Sequence, residues 1–168
     1  MENLLQLKFY LLQKEKKESH GKIQGSISDQ VKIGTIYKNT KLGVYGTITD
    51  LDLAKINLNN EVEVASRQEI ELGKASIICS LDEEKPKEYE IQIEKIFFNN
   101  DDNKGMLIKV VDEELIKKTG GIIQGMSGCP IIQNGKFIGA VTNVLINDPT
   151  KGYAIFGDLM LKEICIKD

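Results

Sequence analysis

The chain has 168 residues, 41% of them hydrophobic, with 22 basic and 25 acidic side chains and a formal net charge of -3. That length fits one domain, or two subdomains (1–58 and 59–168) sharing a core, and charges of both signs are interspersed, so no basic face exists for a phosphate backbone and nucleic acid is excluded as a partner. Cys79, Cys129 and Cys165 lie far apart with no C-x-x-C spacing, which leaves a zinc site without support, and neither metal nor cofactor is expected.

Taken in order, residues 4–12 are apolar, but Gln6 and Lys8 interrupt them and no small-residue cleavage site follows, which fits neither a signal peptide nor a membrane span. Alternation puts Leu5, Leu7, Phe9 and Leu11 on one face and predicts a strand. The charged run 14–18 reads as a solvated turn, with His20, the single histidine, as a surface residue beside it. Residues 21–25 and 31–36 lead into a second strand, 38–41 form a turn, and 43–48 are a third strand. Val62 and Val64 alternate with acids as further β-structure. Residues 75–81 and 89–94 then form a hairpin with one wet face. A run of turn formers at 99–104 precedes a strand at 105–111.

Residues 112–118 predict a short helix: Asp112 caps it, Glu113 and Glu114 suit its positive end, and Lys117 and Lys118 the other. Gly120 and Gly121 stop it. Residues 159–164 predict a terminal helix capped by Asp158. About eight short strands with two short helices indicate an all-β sandwich or barrel.

The chemistry is concentrated in residues 120–148. Gly125-Met126-Ser127-Gly128-Cys129-Pro130 has the form G-x-S-G-x-P, by which trypsin-like serine proteases present a serine hydroxyl at a tight bend, and Ser127 is the candidate nucleophile. Glycines at 125 and 128 let the backbone take positive φ, so that the amides of Gly125 and Ser127 can converge as an oxyanion hole. Pro130 fixes φ at the start of the next strand, and Asn134-Gly135 marks a type I′ hairpin. The competing reading is a glycine-rich turn before a hairpin; the length of the pattern favours the protease. Cys129 is expected to be a small buried side chain without chemistry.

The run from Lys118 to Gly128, continuing through Asn147-Asp148-Pro149-Thr150-Lys151-Gly152-Tyr153, resembles the peptidase domain of the SpoIVB (stage IV sporulation protein B) serine peptidase family. Upstream, Ile33-Gly34-Thr35-Ile36, Gly43-Val44-Tyr45-Gly46 and Gly73-Lys74-Ala75 carry the same likeness, so it covers most of the chain from about Gly21. The resemblance implies serine endopeptidase chemistry on a trypsin-like double β-barrel. At 168 residues the first barrel is expected to be incomplete. It also implies a forespore protein exported to the intermembrane space, acting with a sporulation-signalling membrane-protease complex, whereas the chain as it stands, lacking a targeting segment, reads as cytoplasmic. By position, Ser127 matches the nucleophile and Asp112 the triad carboxylate. The family's PDZ domain and its Gly-His-x-Ile segment fall before the point where this sequence begins, Cys129 stands where the family usually has serine, and Asn143 follows Thr142 where histidine is expected.

Two functions follow. One is a serine endopeptidase-like domain acting on an extended peptide or protein laid beside Thr142 and Asn143, impaired for want of a clear catalytic histidine, with His20 the sole candidate base. The alternative is a non-catalytic peptide-binding or partner-docking module derived from such a protease, or a piece whose first barrel another chain completes.

Overall fold

The computed structural model describes residues 2–11, 23–50, 61–81 and 86–165. His20 and the charged run before it lie outside the described residues. Three strands, β1 (Glu2–Leu11), β2 (Ile23–Thr40) and β3 (Gly43–Ile48), form an antiparallel sheet in chain order. The turn expected at 38–41 is shorter than predicted. Lys38, Asn39 and Thr40 continue β2, opposite Tyr45, Val44 and Gly43, and only Lys41 and Leu42 reverse the chain. A solvated strand accepts such polar residues as readily as a turn does, and Thr40 Oγ1 still accepts from the Leu42 amide at 3.1 Å.

The remaining strands are β4 (Gly73–Cys79), β5 (Lys87–Ile96), β6 (Met106–Val110), β7 (Pro130–Gln133), β8 (Lys136–Leu145) and β9 (Asp148–Phe156). They close into a barrel in the order β4-β5-β6-β9-β8-β7, the ring being completed where Ser76 and Ile77 of β4 pair with Ile132 and Ile131 of β7. Side chains on a strand alternate between faces, so Ala75, Ile77 and Cys79 turn inward with Tyr89, Ile91 and Ile93, while Lys74, Glu88 and Glu90 face solvent. Ile77, Ile91, Met106, Ile108, Val110, Ile131 and Phe156 have no exposed surface and fill the interior. Closure leaves the barrel few edges to protect.

Topology dictates what happens at the barrel end. Around the ring, β6 and β7 stand opposite each other, three places apart whichever way they are counted, yet they are consecutive in the chain. The segment between them must therefore cross the end of the barrel. It does so as the helix α1 (Glu113–Thr119) followed by the loop to Pro130, whose Ile122, Ile123 and Met126 are buried against the core. The helix is capped as its sequence predicts: Asp112 Oδ1 accepts from the Leu115 amide at 2.9 Å, and Gly120 ends the helix at φ 80°.

Two expectations are corrected. Val62 and Val64 do not begin a strand; the segment makes one parallel bridge, Val64 to Phe137, then a 3-10 turn at Arg67–Glu69. Strand β9 pairs with both β6 and β8, Gly152 lying opposite Ile108 on one side and Val144 on the other. Asp158 does not cap the last helix α2 (Gly157–Cys165) but sits inside its first turn, where its carboxylate takes Arg67 Nε at 2.9 and 3.1 Å.

Arg67 is a junction. Its guanidinium also donates to the Phe98 carbonyl at 3.0 Å, pairs with Asp101 at 2.8 Å and stacks 4.6 Å above the Phe156 ring, so one planar group joins the approach to β4, the β5–β6 loop and α2. Nearby, Glu69 accepts from the Ser66 amide and hydroxyl, both at 2.8 Å, and from Lys136 Nζ at 2.7 Å. Among the described residues no helix is long and apolar enough to cross a membrane.

Truncating Phe156 to alanine removes a fully buried ring together with the surface under Arg67, and should lower unfolding free energy by ~3–5 kcal/mol in urea titration. The hydrogen bond from Lys136, then those from Ser66, hold the Glu69 carboxyl down at about 2 against an ordinary value of 4.5. A carboxyl depressed on folding contributes stability that is complete above its unfolded pKa and lost as pH falls through the folded one. Thermal stability should therefore fall more gently below pH 4.5 in Glu69→Gln than in the parent chain, with the difference shrinking at high salt because this pair is exposed.

Candidate active site

The crossing loop is built from two tight turns. The Met126 amide donates to the Ile123 carbonyl at 3.1 Å, closing one turn around Gly125 at φ 104°, and the Cys129 amide donates to the Met126 carbonyl at 3.0 Å, closing the next around Gly128 at φ 91°. Neither angle is comfortable for a residue with a Cβ, which is why glycines stand there. Met126, fully buried between the turns, anchors the loop to the core. The Gly128 amide to the Val141 carbonyl at 2.8 Å, and the Val141 amide to the Cys129 carbonyl at 3.0 Å, then tie the loop to β8.

The amides of Gly125 and Ser127 are not among those engaged by the described residues, and both residues are solvent-exposed. They flank Met126, the one buried residue of the bend. Ser127 presents its hydroxyl on the same exposed surface, donating to the Thr142 carbonyl at 2.7 Å. A carbonyl oxygen can receive that hydrogen bond but is far too weak a base to take the proton, so in this geometry the hydroxyl is oriented and not activated.

Thr142 owes its position to a bulge. Val141 pairs with Ala154 and Asn143 with Tyr153, so Thr142 is the extra residue of β8. Its carbonyl meets Ser127, and its hydroxyl donates to the Asn103 carbonyl at 2.6 Å. Asn103 in turn donates through Nδ2 to Asn143 Oδ1 at 3.3 Å. The β5–β6 loop thereby walls β8 beside Ser127. Asn103 was not legible as a site residue, since within 99–104 it is one turn former among several. On the β7 side, β8 is paired only as far as Ala140 by the ladder and Val141 by the loop, so beyond it no described strand lies against Thr142 and Asn143.

Of the residues singled out from sequence, Ser127, Gly125, Thr142 and Asn143 are thus brought together. Asp112 stands apart. Its Oδ1 holds the Leu115 amide, its Oδ2 accepts from the Glu90 amide at 3.3 Å, and it lines an open groove of ≈ 520 Å³ with Lys74, Ser76, Glu90 and Gln133, whose walls do not include Ser127. No hydrogen bond joins Asp112 to Ser127 among the described residues; in a triad none would, because an imidazole stands between acid and serine. Among the described residues there is also no cluster of three side chains able to ligate a metal.

Over residues 2–161 the chain matches the family described as SpoIVB peptidase S55. Comparison with curated proteins finds no match. Among solved structures it is similar to the Rv3671c protease from M. tuberculosis in its active form, with 14% identity and a TM-score of 0.55 over 85% of this chain and 62% of that one. It is likewise similar to an inactive serine-to-alanine mutant of the M. tuberculosis H37Rv protein, with 12% identity and a TM-score of 0.54 over 85% of this chain and 68% of that one. The chain thus spans less than two thirds of the length of the first of these. At such identity the likeness speaks for the fold, which is trypsin-like.

Removing the cap separates two roles for Asp112. Asp112→Ala should lower stability by ~1 kcal/mol, whereas Asp112→Asn, which keeps an acceptor for the Leu115 amide, should cost less than half as much, as read from urea midpoints.

Proposed function

Because the chain belongs to the SpoIVB peptidase S55 family and is a serine protease-like domain, we propose that it acts on an extended peptide, with Ser127 as nucleophile and the Gly125 and Ser127 amides as oxyanion donors. The observation that carries this reading is the meeting, on one bend, of an exposed hydroxyl with two amides that donate to none of the described residues. Negative charge develops on the carbonyl oxygen of the substrate as Ser127 Oγ attacks it. Two amides on the same bend would stabilise that charge, each being worth ~3 kcal/mol in the transition state. Substrate would add as a strand along Thr142 and Asn143, where no described strand lies on the β7 side of β8, with Asn103 forming the far wall.

Proton transfer is the weak step. Asp112 is the candidate triad acid by family position, and its carboxylate is already engaged by two backbone amides. His20 is the sole histidine and hence the candidate base. Without a base, the hole and binding alone leave roughly 10³–10⁴-fold acceleration over water. The Ser127 bond to the Thr142 carbonyl favours a second reading, a peptide-binding domain with impaired hydrolysis, because a hydroxyl held this way must rotate before it can react.

A fluorophosphonate probe incubated with the folded chain should label Ser127, and Ser127→Ala should abolish labelling while retaining peptide binding. Folded protein that stays unlabelled removes the nucleophile assignment. A drop of about 10² or more in labelling rate for His20→Ala assigns the base, and an unchanged rate selects the peptide-binding reading.

A further inference from the structure

The barrel closure sets two cysteines against each other beside the serine loop. In the β4–β7 ladder Ser76 faces Ile132 and Ile77 faces Ile131; carried two places further, the same register puts Cys79 opposite Cys129. Both then lie on the face of Ile77 and Ile131, which points into the barrel. Their sulfurs are 2.9 Å apart, and both are free thiols. That separation is less than an ångström beyond the ~2.05 Å of a formed bond. Cys79 is 3% exposed and Cys129 half-buried, so a reagent from solvent meets Cys129 first.

We propose that Cys79 and Cys129 are a reversible dithiol–disulfide site that staples the serine loop to β4 when the protein meets a low-molecular-weight disulfide such as oxidised glutathione. The Cys129 thiolate attacks one sulfur of the oxidant, forming a mixed disulfide and expelling one thiolate, which takes up a proton. Cys79 then loses its proton and attacks the Cys129 sulfur, forming the internal bond and expelling the second thiolate. The two protein thiols together give up two electrons, and one oxidant disulfide becomes two thiols. The electrostatics suit this order of attack. The hydrogen bond from Cys79 pulls the Cys129 thiol down despite its burial, while Cys79 is pushed up by that same bond and by burial. In reducing surroundings both remain thiols.

The bond would close a loop between residues 50 apart and tie down Cys129, whose amide and carbonyl already bond Met126 and Val141. The full chain, equilibrated in dithiothreitol or in oxidised glutathione, tests this without any substitution. Oxidised protein should lose two mass units, yield a Cys79–Cys129 linked peptide, melt roughly 5–10 °C higher than the reduced form, and exchange the Gly128 and Cys129 amides more slowly. Cys129→Ala and Cys79→Ala should each erase the shift, and Cys165→Ala should keep it. A link through Cys165, a lasting glutathione adduct on Cys129, no linkage in folded protein, or a linkage that leaves melting and exchange unchanged would each overturn the proposal. None of these readouts uses Ser127, so the disulfide and the peptidase reading stand or fall separately.

Discussion

Ring closure between β4 and β7 is the constraint from which the site follows. Once Ser76 and Ile77 pair with Ile132 and Ile131, β6 and β7 are forced to opposite sides of the ring, and the chain joining them has to span the barrel end. A crossing segment loses water on its lower side and needs side chains there, which Ile122, Ile123 and Met126 supply. Its upper side keeps the polar groups that the turns do not use. The bend at Ser127 is therefore half core and half surface, with Met126 buried between the exposed Gly125 and Ser127.

On the peptidase reading proposed above, the groups around Ser127 are better suited to receiving charge than to moving protons. Amides can be set by backbone geometry alone, and two tight turns set these. Activating a hydroxyl requires a base at hydrogen-bond distance, and the acceptor standing there is the Thr142 carbonyl. Asp112 shows the same tension from the other side. Capping α1 and holding the Glu90 amide occupy both of its oxygens, so recruiting it to orient an imidazole competes with helix stability of ~1 kcal/mol. A triad that yields far more than this in rate would outweigh that cost.

How far the sequence could be read depended on the reach of each signal. The Asn134-Gly135 hairpin, with φ values of 52° and 76°, the alternation along β4 and β5, and the helix bounded by Asp112 and Gly120 are all specified within a few residues, and each formed where predicted. The G-x-S-G-x-P bend likewise carries its own glycines. What local pattern could not show was partnership across the fold. Asp158 looked like a cap until Arg67, 91 positions away, claimed it. That β4 ends opposite Cys129 is likewise revealed by nothing near it in sequence.

Arg67 has a reach that its own surroundings do not suggest. It fixes the β5–β6 loop at Phe98 and Asp101, and Asn103 of that loop is what braces Thr142 and Asn143. A side chain on the approach to the barrel therefore helps position Thr142 beside Ser127, through the β5–β6 loop. Lysine could keep the charge but not the flat, many-pronged grip, so the setting of Thr142 depends on a residue that touches neither it nor Ser127.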